Sequence, residues 1–172
     1  MDRIAIVGIA GSGKSTLAAK LGEELKRPVI YLDKYYYTSS WEKNYKKQEE
    51  WHKFLDELIV KEKWIIDGNY RNTIKARLKR ADTIIFLDFP KWRCLWRVFK
   101  RRILNKKQQF DKPDGAKERI SWHLIKLIIN HPYKEIRSEI LEHKNTKKLF
   151  ISKTDRQTQN IFKELIDTAY YS

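Results

Sequence analysis

The sequence contains a single cysteine, Cys94, among 172 residues. One cysteine forms no disulfide within the chain, which excludes a small disulfide-rich secreted fold and indicates a reducing compartment. Long apolar runs are also missing: the densest stretch, WHLIKLIIN, is far shorter than the roughly 20 residues of a membrane-spanning helix. No secretory leader is recognisable before a glycine-rich loop that begins at residue 8. We therefore expect a cytoplasmic protein with no membrane partner.

Acidic residues are few relative to basic ones, 22 against 37, which leaves a net charge of +15. Such an excess attracts anions, including nucleotides, nucleic acids and acidic lipid surfaces. Composition alone does not choose among them. The apolar content of 41% and the aromatic content of 13% argue against a disordered chain despite 34% charged residues, and the length is sufficient to bury a core.

Short apolar runs alternate along the chain with longer amphipathic stretches. Strands are predicted at Ile4–Val7, Val29–Leu32, Trp64–Ile66, Ile84–Leu87 and Leu149–Ile151. Helices are predicted at Lys14–Lys26, Glu49–Lys61, Thr73–Arg80, Lys91–Lys106, Ala116–Asn130, Tyr133–His143 and Gln157–Ala169. This alternation is typical of a three-layer α/β domain with a parallel sheet. We expect one domain over residues 1–172, with a polar, turn-rich lid at Asn105–Gly115.

The strongest motif is GIAGSGKST, residues 8 to 16, which matches the phosphate-binding pattern G-x-x-x-x-G-K-S between a strand and a helix. Glycines let backbone N–H groups converge on one anion, and the helix N-terminus adds a partial positive charge. Lys14 is predicted to reach the β- and γ-phosphates of a nucleotide, and Ser15 to hold Mg²⁺. The alternative is a chance match in a glycine-containing turn. The predicted nucleotide-binding residues are Gly8, Gly11, Ser12, Gly13, Lys14, Ser15 and Thr16.

Two carboxylates follow predicted strands. Asp67 ends the strand in WIIDGNYR and is suited to hold Mg²⁺ directly or through water, with Arg71 suited to clamp an acceptor phosphate. Alternatively, Asp67 caps a helix or forms a turn with Gly68. Asp33 ends the strand in VIYLD, at the sheet edge where α/β folds bind ligands. It is a candidate to accept a proton from, or to orient, the acceptor hydroxyl; the alternative is a solvated turn residue.

Aromatic residues follow Asp33 in YYYTSSW. Tyr35, Tyr36, Tyr37 and Trp41 are suited either to stack a planar base or to pack against one another. The loop Ser152–Arg156 after the last strand is a candidate to contact an adenine ring, and Thr154 or Asp155 in it is also a candidate cap of the final helix.

The helix KWRCLWRVFKRR combines an apolar and a basic face. We expect the apolar face to pack on the sheet and Cys94 to project away from it. The adjoining basic stripe would then rim the site, where Arg97 and Arg101 could neutralise charge on a transferring phosphoryl group. A solvated face and a nucleic-acid-binding face are the alternatives. The predicted apolar face comprises Trp92, Leu95, Trp96, Phe99 and Ile103, and the basic stripe comprises Arg93, Arg97, Lys100 and Arg101.

Five stretches resemble, in order and spacing, the adenylate kinase-like P-loop proteins called DNA topology modulation proteins: GIAGSGKST, YLD, WIIDGNYR, IIFLDFP and CLWRVFKRR. The resemblance covers nearly the whole chain, and the broader relatives are nucleoside monophosphate, shikimate and gluconate kinases. It implies a three-layer P-loop NTPase fold, with a five-stranded parallel sheet in the order 2-3-1-4-5 and helices on both faces. It also implies ATP with Mg²⁺, an acceptor-binding segment at about residues 34–60 and a short lid at about residues 100–120.

The same resemblance suggests roles for single residues. DGNYR is similar to the D-G-F-P-R stretch of adenylate kinases, which gives Asp67 a magnesium role and Arg71 an acceptor-phosphate role, with Asn69 and Tyr70 in place of Phe and Pro. Asp33 resembles the acceptor-side Asp of shikimate and nucleoside kinases. Arg97 and Arg101 resemble arginines of the helix that leads into the lid.

Two functions remain in competition at this point. The first is an ATP-dependent kinase for a small acceptor, preferably a nucleotide or nucleoside, in which Lys14, Asp33, Arg97 and Arg101 are catalytic and Mg²⁺ is held by Ser15 and Asp67. The second is a nucleotide-regulated nucleic-acid-binding protein that affects DNA topology and has little kinase activity, which the net charge of +15 favours.

Overall fold

The computed structural model describes residues 1–44, 47–104 and 122–171. The described strands are β1 (Arg3–Gly8), β2 (Val29–Tyr31), β3 (Trp64–Asp67), β4 (Thr83–Leu87) and β5 (Lys148–Ser152). The described helices are α1 (Lys14–Leu25), α2 (Leu32–Tyr36), α3 (Gln48–Ile59), α4 (Arg71–Arg80), α5 (Lys91–Ile103), α6 (Trp122–Ile129), α7 (Tyr133–Leu141) and α8 (Asp155–Tyr171). No helix among these residues is both long and apolar enough to span a membrane.

The strands form one parallel sheet in the order β2-β3-β1-β4-β5, which confirms the predicted fold class and strand order. The register places Ile6 of β1 opposite Asp67 of β3, and Tyr31 of β2 opposite the same Asp67. Parallel strands all end at one edge of a sheet. The segments that follow β1, β2 and β3 therefore share the carboxyl edge, where open α/β folds bind ligands.

The sheet separates two apolar cores, because successive residues of a strand point to opposite faces. Ala5 and Val7 face the core that contains residues of α3, α4 and α7. Ile4 and Ile6 face the core that contains residues of α1, α5, α6 and α8. Strands covered on both faces read as continuous apolar runs, which is why periodicity located them in the sequence.

The segment after β2 differs from the prediction. The strand ends at Tyr31, and Leu32 begins the short helix α2, in which Asp33 is the second residue. Leu32 is fully buried, and the chain changes from strand to helix at this residue. Five residues are too few for a helical period to be recognised. The predicted lid at Asn105–Gly115 lies outside the described residues, and the predicted helix Ala116–Asn130 is described only as α6.

Helix α5 buries a different face from the one predicted. Trp92 is 70% exposed, and Trp96, Phe99 and Ile103 are also exposed. Cys94, which was expected to project away from the packed face, is fully buried. The prediction of an apolar face packed on the sheet was therefore wrong for these four large side chains.

The physical reason lies in the phosphate loop, which rests directly on α5. A Cβ atom on Gly11 would come within 2.7 Å of the Cys94 carbonyl oxygen and 3.0 Å of Val98 Cγ2. The loop can approach this closely only where the helix presents small side chains. Cys94 and Val98 meet that demand, and tryptophan on the same face would hold the loop away.

We expect Val98→Ala to lower the free energy of unfolding by about 2 kcal/mol, because Val98 is buried against the loop. Trp96→Ala should change it by no more than about 0.5 kcal/mol, because Trp96 is 59% exposed. Urea unfolding followed by circular dichroism measures both values. A larger loss for Trp96→Ala than for Val98→Ala would mean that the tryptophan face is the packed one.

Candidate functional site

The phosphate loop joins β1 to α1 with two glycines in the left-handed region. Gly11 has φ 80° and Gly13 has φ 97°, a conformation that side-chain-bearing residues rarely adopt. Gly13 is the N-cap of α1 and offers no side chain to the first N–H groups of the helix, which have no acceptor within a helix. The loop therefore turns a helix N-terminus toward solvent, which is the arrangement that binds phosphate.

Lys14 folds back over this loop. Its Nζ donates a hydrogen bond to the Ile9 carbonyl oxygen at 3.2 Å, and Ser12 N donates to the same oxygen at 3.1 Å. Lys14 and Ser15 are half-buried, whereas Gly13 and Thr16 are exposed. The structure thus brings the predicted phosphate-binding residues together around one turn of backbone, with the lysine charge above it.

Two arginines of α5 pair with Asp155, and one of them, Arg97, also reaches the phosphate loop. Arg97 Nη1 donates to the Ser12 carbonyl oxygen at 3.0 Å, and its Nη2 pairs with Asp155 Oδ1. Arg93 Nη2 pairs with Asp155 Oδ2 at 2.8 Å. Both guanidinium groups lie over the Phe89 ring, with Arg97 4.4 Å from its centroid. Arg97 is therefore fixed beside the loop, and Arg101 lies one turn further along, half-buried. Contact of either arginine with nucleotide phosphates stays a prediction.

The loop Ser152–Arg156, a candidate for adenine contact, starts the last helix. Thr154 Oγ1 accepts a hydrogen bond from Gln157 N at 3.2 Å, which is the geometry of an N-cap. Asp155 is the first residue of α8, and its carboxylate holds Arg93 and Arg97. The capping interpretation is thus correct for Thr154, and Asp155 connects this loop to the phosphate loop through Arg97.

Asp67 lies at the carboxyl end of β3 and is 4% exposed. Its negative charge stabilises the charged form of Arg77, a fully buried residue of α4. Burial nevertheless lowers the pKa of Arg77 to about 10, so the guanidinium stays charged at neutral pH. Arg77 was missed by the sequence reasoning, because an arginine on an amphipathic helix normally predicts an exposed side chain.

Asp67 and Ser15 offer a carboxylate and a hydroxyl, which are hard oxygen donors of the kind that Mg²⁺ prefers. Ser15 is the second residue of α1, and Asp67 is paired in register with Ile6, two residues before the loop begins. The donor chemistry therefore fits a magnesium ion held beside nucleotide phosphates. Among the described residues no cluster of three or more His, Cys, Asp or Glu side chains forms a metal site of the protein's own.

The acceptor side of the edge is built from Asp33 and aromatic rings. Tyr70 donates its hydroxyl hydrogen to Asp33 Oδ1 at 2.6 Å. The Tyr70 ring packs against Tyr36, with centroids 4.5 Å apart, and against Trp51, with centroids 5.1 Å apart. Tyr36 therefore packs within the protein, which is the second of the two interpretations left open for the aromatic run. Burial, with the nearby negative charge of Asp33, raises the pKa of Tyr70 well above its usual range.

Other rings of this run remain nearer the surface. Tyr35 is 40% exposed and touches Phe54, with centroids 5.0 Å apart. Tyr37 and Trp41 are half-buried, with centroids 5.9 Å apart. Arg71, predicted to clamp an acceptor phosphate, is the first residue of α4 and is exposed. It stands next to Tyr70 in the chain, at the solvent side of the same segment.

His131 was assigned no chemistry from the sequence, since the histidines have no metal-ligand spacing. The structure places it at the α6–α7 junction, in a small pocket that Ile9, Lys91 and Tyr133 also line. Burial, together with the positive charges of Lys14 and Lys91, lowers the pKa of His131 to about 4. His131 is therefore neutral beside the phosphate-loop lysine at physiological pH.

We expect His131 to make the protein less stable in acid. The pKa of about 4 in the folded state lies below the ordinary 6.5, so the unfolded state binds the proton first as the pH falls from 6.5 toward 4. His131 is partly exposed and solvent screens its charge, so the expected loss is about 1–2 kcal/mol of unfolding free energy.

Urea unfolding of the wild type and of His131→Asn at pH 7.5 and pH 4.5 measures this loss. The variant should lose less stability between the two pH values than the wild type. His52→Asn, which changes an exposed histidine on α3, is the control and should behave as the wild type. Equal acid sensitivity of the wild type and His131→Asn would contradict the assignment.

No family model matches the chain, and a search of curated proteins finds no match. Solved structures do match over almost the whole chain. Shikimate kinase from Acinetobacter baumannii in complex with shikimate is 17% identical, with a TM-score of 0.59, covering 98% of this chain and 92% of that one. Deoxyadenosine kinase from M. mycoides, with dCMP and dCDP bound, is 18% identical, with a TM-score of 0.53 and coverages of 95% and 98%.

The YorR protein from Bacillus subtilis, in complex with phosphorylated GDP, is 19% identical, with a TM-score of 0.53 and coverages of 96% and 94%. Shikimate kinase and deoxyadenosine kinase are P-loop kinases of the adenylate kinase-like type. At these identities the likeness establishes the fold. This chain has the fold of P-loop kinases: a five-stranded parallel sheet in the order 2-3-1-4-5 surrounded by helices.

Proposed function

We propose that the protein is an ATP-dependent phosphotransferase that moves the γ-phosphoryl group of ATP to a small acceptor. The observation that carries the proposal is the division of one sheet edge into two halves. The phosphate loop with Lys14 and Arg97 lies on the side of β1 and β4, and Asp33 with Tyr70 lies on the side of β2 and β3. A protein that only stored a nucleotide would have no use for the second half.

In this proposal the chain contributes position and charge rather than covalent chemistry. The N-terminus of α1 holds the ATP phosphates, and Lys14 leaves the Ile9 carbonyl to meet them. Arg97, held by Asp155 beside Ser12, adds positive charge at the loop, and Arg101 follows one turn later. Mg²⁺, bound by Ser15 and Asp67, would neutralise phosphate charge when present.

Asp33 faces the acceptor: it takes the proton where the acceptor group is a hydroxyl, and it orients the acceptor where that group is a phosphate. We propose a nucleotide or nucleoside as the acceptor. The half-buried rings of Tyr37 and Trp41 are suited to a planar base, and the exposed Arg71 at the start of α4 is suited to a phosphate. The deoxyadenosine kinase with dCMP and dCDP bound supports a nucleoside-type acceptor on this fold, and the shikimate kinase supports a hydroxy acid as the competitor in the test.

Membership of the DNA topology modulation proteins is part of the same proposal. It rests on the five motif stretches, above all on WIIDGNYR and CLWRVFKRR, which are more specific than the phosphate loop. In both stretches the structure gives the motif residues contacts at the sheet edge, through Tyr70 and Arg97.

The test is incubation of the protein with Mg·ATP and a panel of nucleoside monophosphates, nucleosides and hydroxy acids, with ADP and phosphorylated product measured together. ADP formation that depends on one acceptor and equals the new product is expected. Lys14→Ala should lower kcat at least 100-fold, and Asp33→Asn should lower kcat by 10²- to 10⁴-fold, since each removes a group from the reacting centre.

The matched controls make the same substitutions at exposed positions. Lys20→Ala on α1 is the control for Lys14→Ala, and Asp56→Asn on α3 is the control for Asp33→Asn; both should keep wild-type turnover. ADP formation that is independent of every acceptor would reduce the protein to a nucleotide hydrolase. Full turnover by Lys14→Ala would remove the phosphate loop from the mechanism.

A second candidate function is nucleic-acid binding regulated by nucleotide. The exposed rings of Trp92, Trp96 and Phe99 on α5 favour it, because they lie among basic residues in a protein of net charge +15. A titration with single-stranded DNA at rising salt is the test. Steep salt-dependent binding that is weakened by Trp96→Ala would support this function, and absence of binding at low salt would refute it.

A further inference from the structure

The three residues after Asp67 connect the two halves of the site. Asn69 Oδ1 accepts a hydrogen bond from Gly8 N at 2.9 Å, and Asn69 Nδ2 donates to the Gly8 carbonyl oxygen. The next residue, Tyr70, donates its hydroxyl hydrogen to Asp33 Oδ1 at 2.6 Å. Adjacent residues therefore hold the first residue of the phosphate loop and the acceptor-side carboxylate. We call Gly68–Tyr70 the connector.

A buried charged residue, Arg77, holds the backbone of the connector. Arg77 Nη1 donates to the Gly68 carbonyl oxygen at 2.6 Å, and Arg77 Nη2 donates to the Tyr70 carbonyl oxygen at 3.3 Å. Arg77 has no exposed surface, so these bonds are not exchanged for bonds to water. Thr73 N also donates to the Tyr70 carbonyl oxygen, at 3.0 Å. The backbone of the connector is thus fixed independently of any ligand.

The Tyr70 side chain is fixed as firmly as its backbone. Its ring packs against both Tyr36 and Trp51, which also pack against each other, and this cluster restricts the direction in which the hydroxyl group points. A hydrogen bond of 2.6 Å to a carboxylate is short and charge-assisted, which favours the ionised form of the acid. One oxygen of Asp33 therefore accepts a hydrogen bond from a hydroxyl group whose ring is packed in place, and this sets the direction in which the carboxylate meets an acceptor.

We propose that Tyr70 is the positioning residue of Asp33 and that Asn69, through the same connector, sets the distance between Asp33 and the phosphate loop. The inference rests on the proposed phosphotransfer. Phosphoryl transfer depends on alignment of acceptor and phosphate, so loss of the Tyr70 hydroxyl should reduce the rate of transfer while nucleotide binding persists.

The kinetic test is Tyr70→Phe, which keeps the ring and removes only the hydroxyl group. We expect kcat to fall 10- to 100-fold with the KM for ATP unchanged, and the acid limb of the pH–rate profile to move up by about one pH unit, since Asp33 loses a donor that favours its ionised form. The control is Tyr170→Phe on α8, which removes a hydroxyl bonded to the Glu24 carbonyl oxygen at 3.2 Å and should leave kcat and the profile unchanged. Wild-type kcat and pH profile in Tyr70→Phe would overturn the proposal.

A second measurement does not depend on turnover. Carboxyl carbon NMR of protein labelled at aspartate follows the titration of Asp33, with Asp33→Asn used to assign the signal. Tyr70→Phe should shift this titration to higher pH, and an unchanged titration would overturn the proposal even if no acceptor is found. If the wild type transfers phosphate to nothing in the panel but the NMR shift is seen, the proposed function fails and the Tyr70–Asp33 connection stands.

Asn69→Ala tests the other end of the connector. It should weaken binding of a non-hydrolysable ATP analogue, measured by calorimetry, by about 10-fold. The reason is that Gly8, the first residue of the phosphate loop, loses both of its hydrogen bonds to the Asn69 side chain and the loop is held less firmly. Tyr70→Phe should bind the analogue as the wild type does. Equal loss of analogue affinity in both variants, or in neither, would contradict the separate assignment of Asn69 to the phosphate loop and Tyr70 to Asp33.

Discussion

The site depends on one constraint: the strands that carry it run in the same direction and therefore end at the same edge. β3 lies between β2 and β1, so the segment that leaves β3 passes between Asp33 and Gly8. A connector of three residues then suffices to reach both. In a mixed sheet the same residues would end at opposite edges, and no short segment could bond to both.

Parallel strands bring the ends together, but a buried charge fixes the loop between them. The Arg77 guanidinium lies in a place where an unpaired charge would be strongly unfavourable. It is tolerated because its two terminal nitrogens donate to two backbone carbonyl groups and the negative charge of Asp67 stabilises its charged form. The same arrangement gives Asp67 a countercharge within the protein. The negative charge of Asp67, which lies near the phosphate loop, is therefore partly balanced by Arg77 in the absence of any metal or nucleotide.

Local patterns in the sequence predicted most of the fold but little of the connector. Buried strands and the phosphate loop are each formed by consecutive residues. The apolar runs of the strands and the glycine spacing of the loop are therefore visible in the sequence. The bond from Tyr70 to Asp33 spans 37 positions and that from Asn69 to Gly8 spans 61, and no local pattern records which distant side chains meet. Asn69 and Tyr70 were noticed only as departures from the adenylate kinase pattern. The burial of Arg77 was missed for another reason: its carbonyl partners, Gly68 and Tyr70, are near in sequence, but an arginine on an amphipathic helix normally predicts an exposed side chain.

The error on α5 has a different cause, because there the local pattern was clear and still misled. An amphipathic pattern shows which face of a helix is apolar, but it does not show how large the side chains on the packed face can be. The backbone of the phosphate loop lies so close to α5 that only small side chains fit between them. A Cβ atom added at Gly11 would lie only 2.7 Å from the Cys94 carbonyl oxygen, so the loop and the helix are in close contact here. The helix therefore presents its small residues to the loop. Arg97 follows Cys94 by three residues and is carried to the loop by the same rotation. The rotation that seats the loop and delivers Arg97 also leaves the large aromatic residues of α5 facing outward.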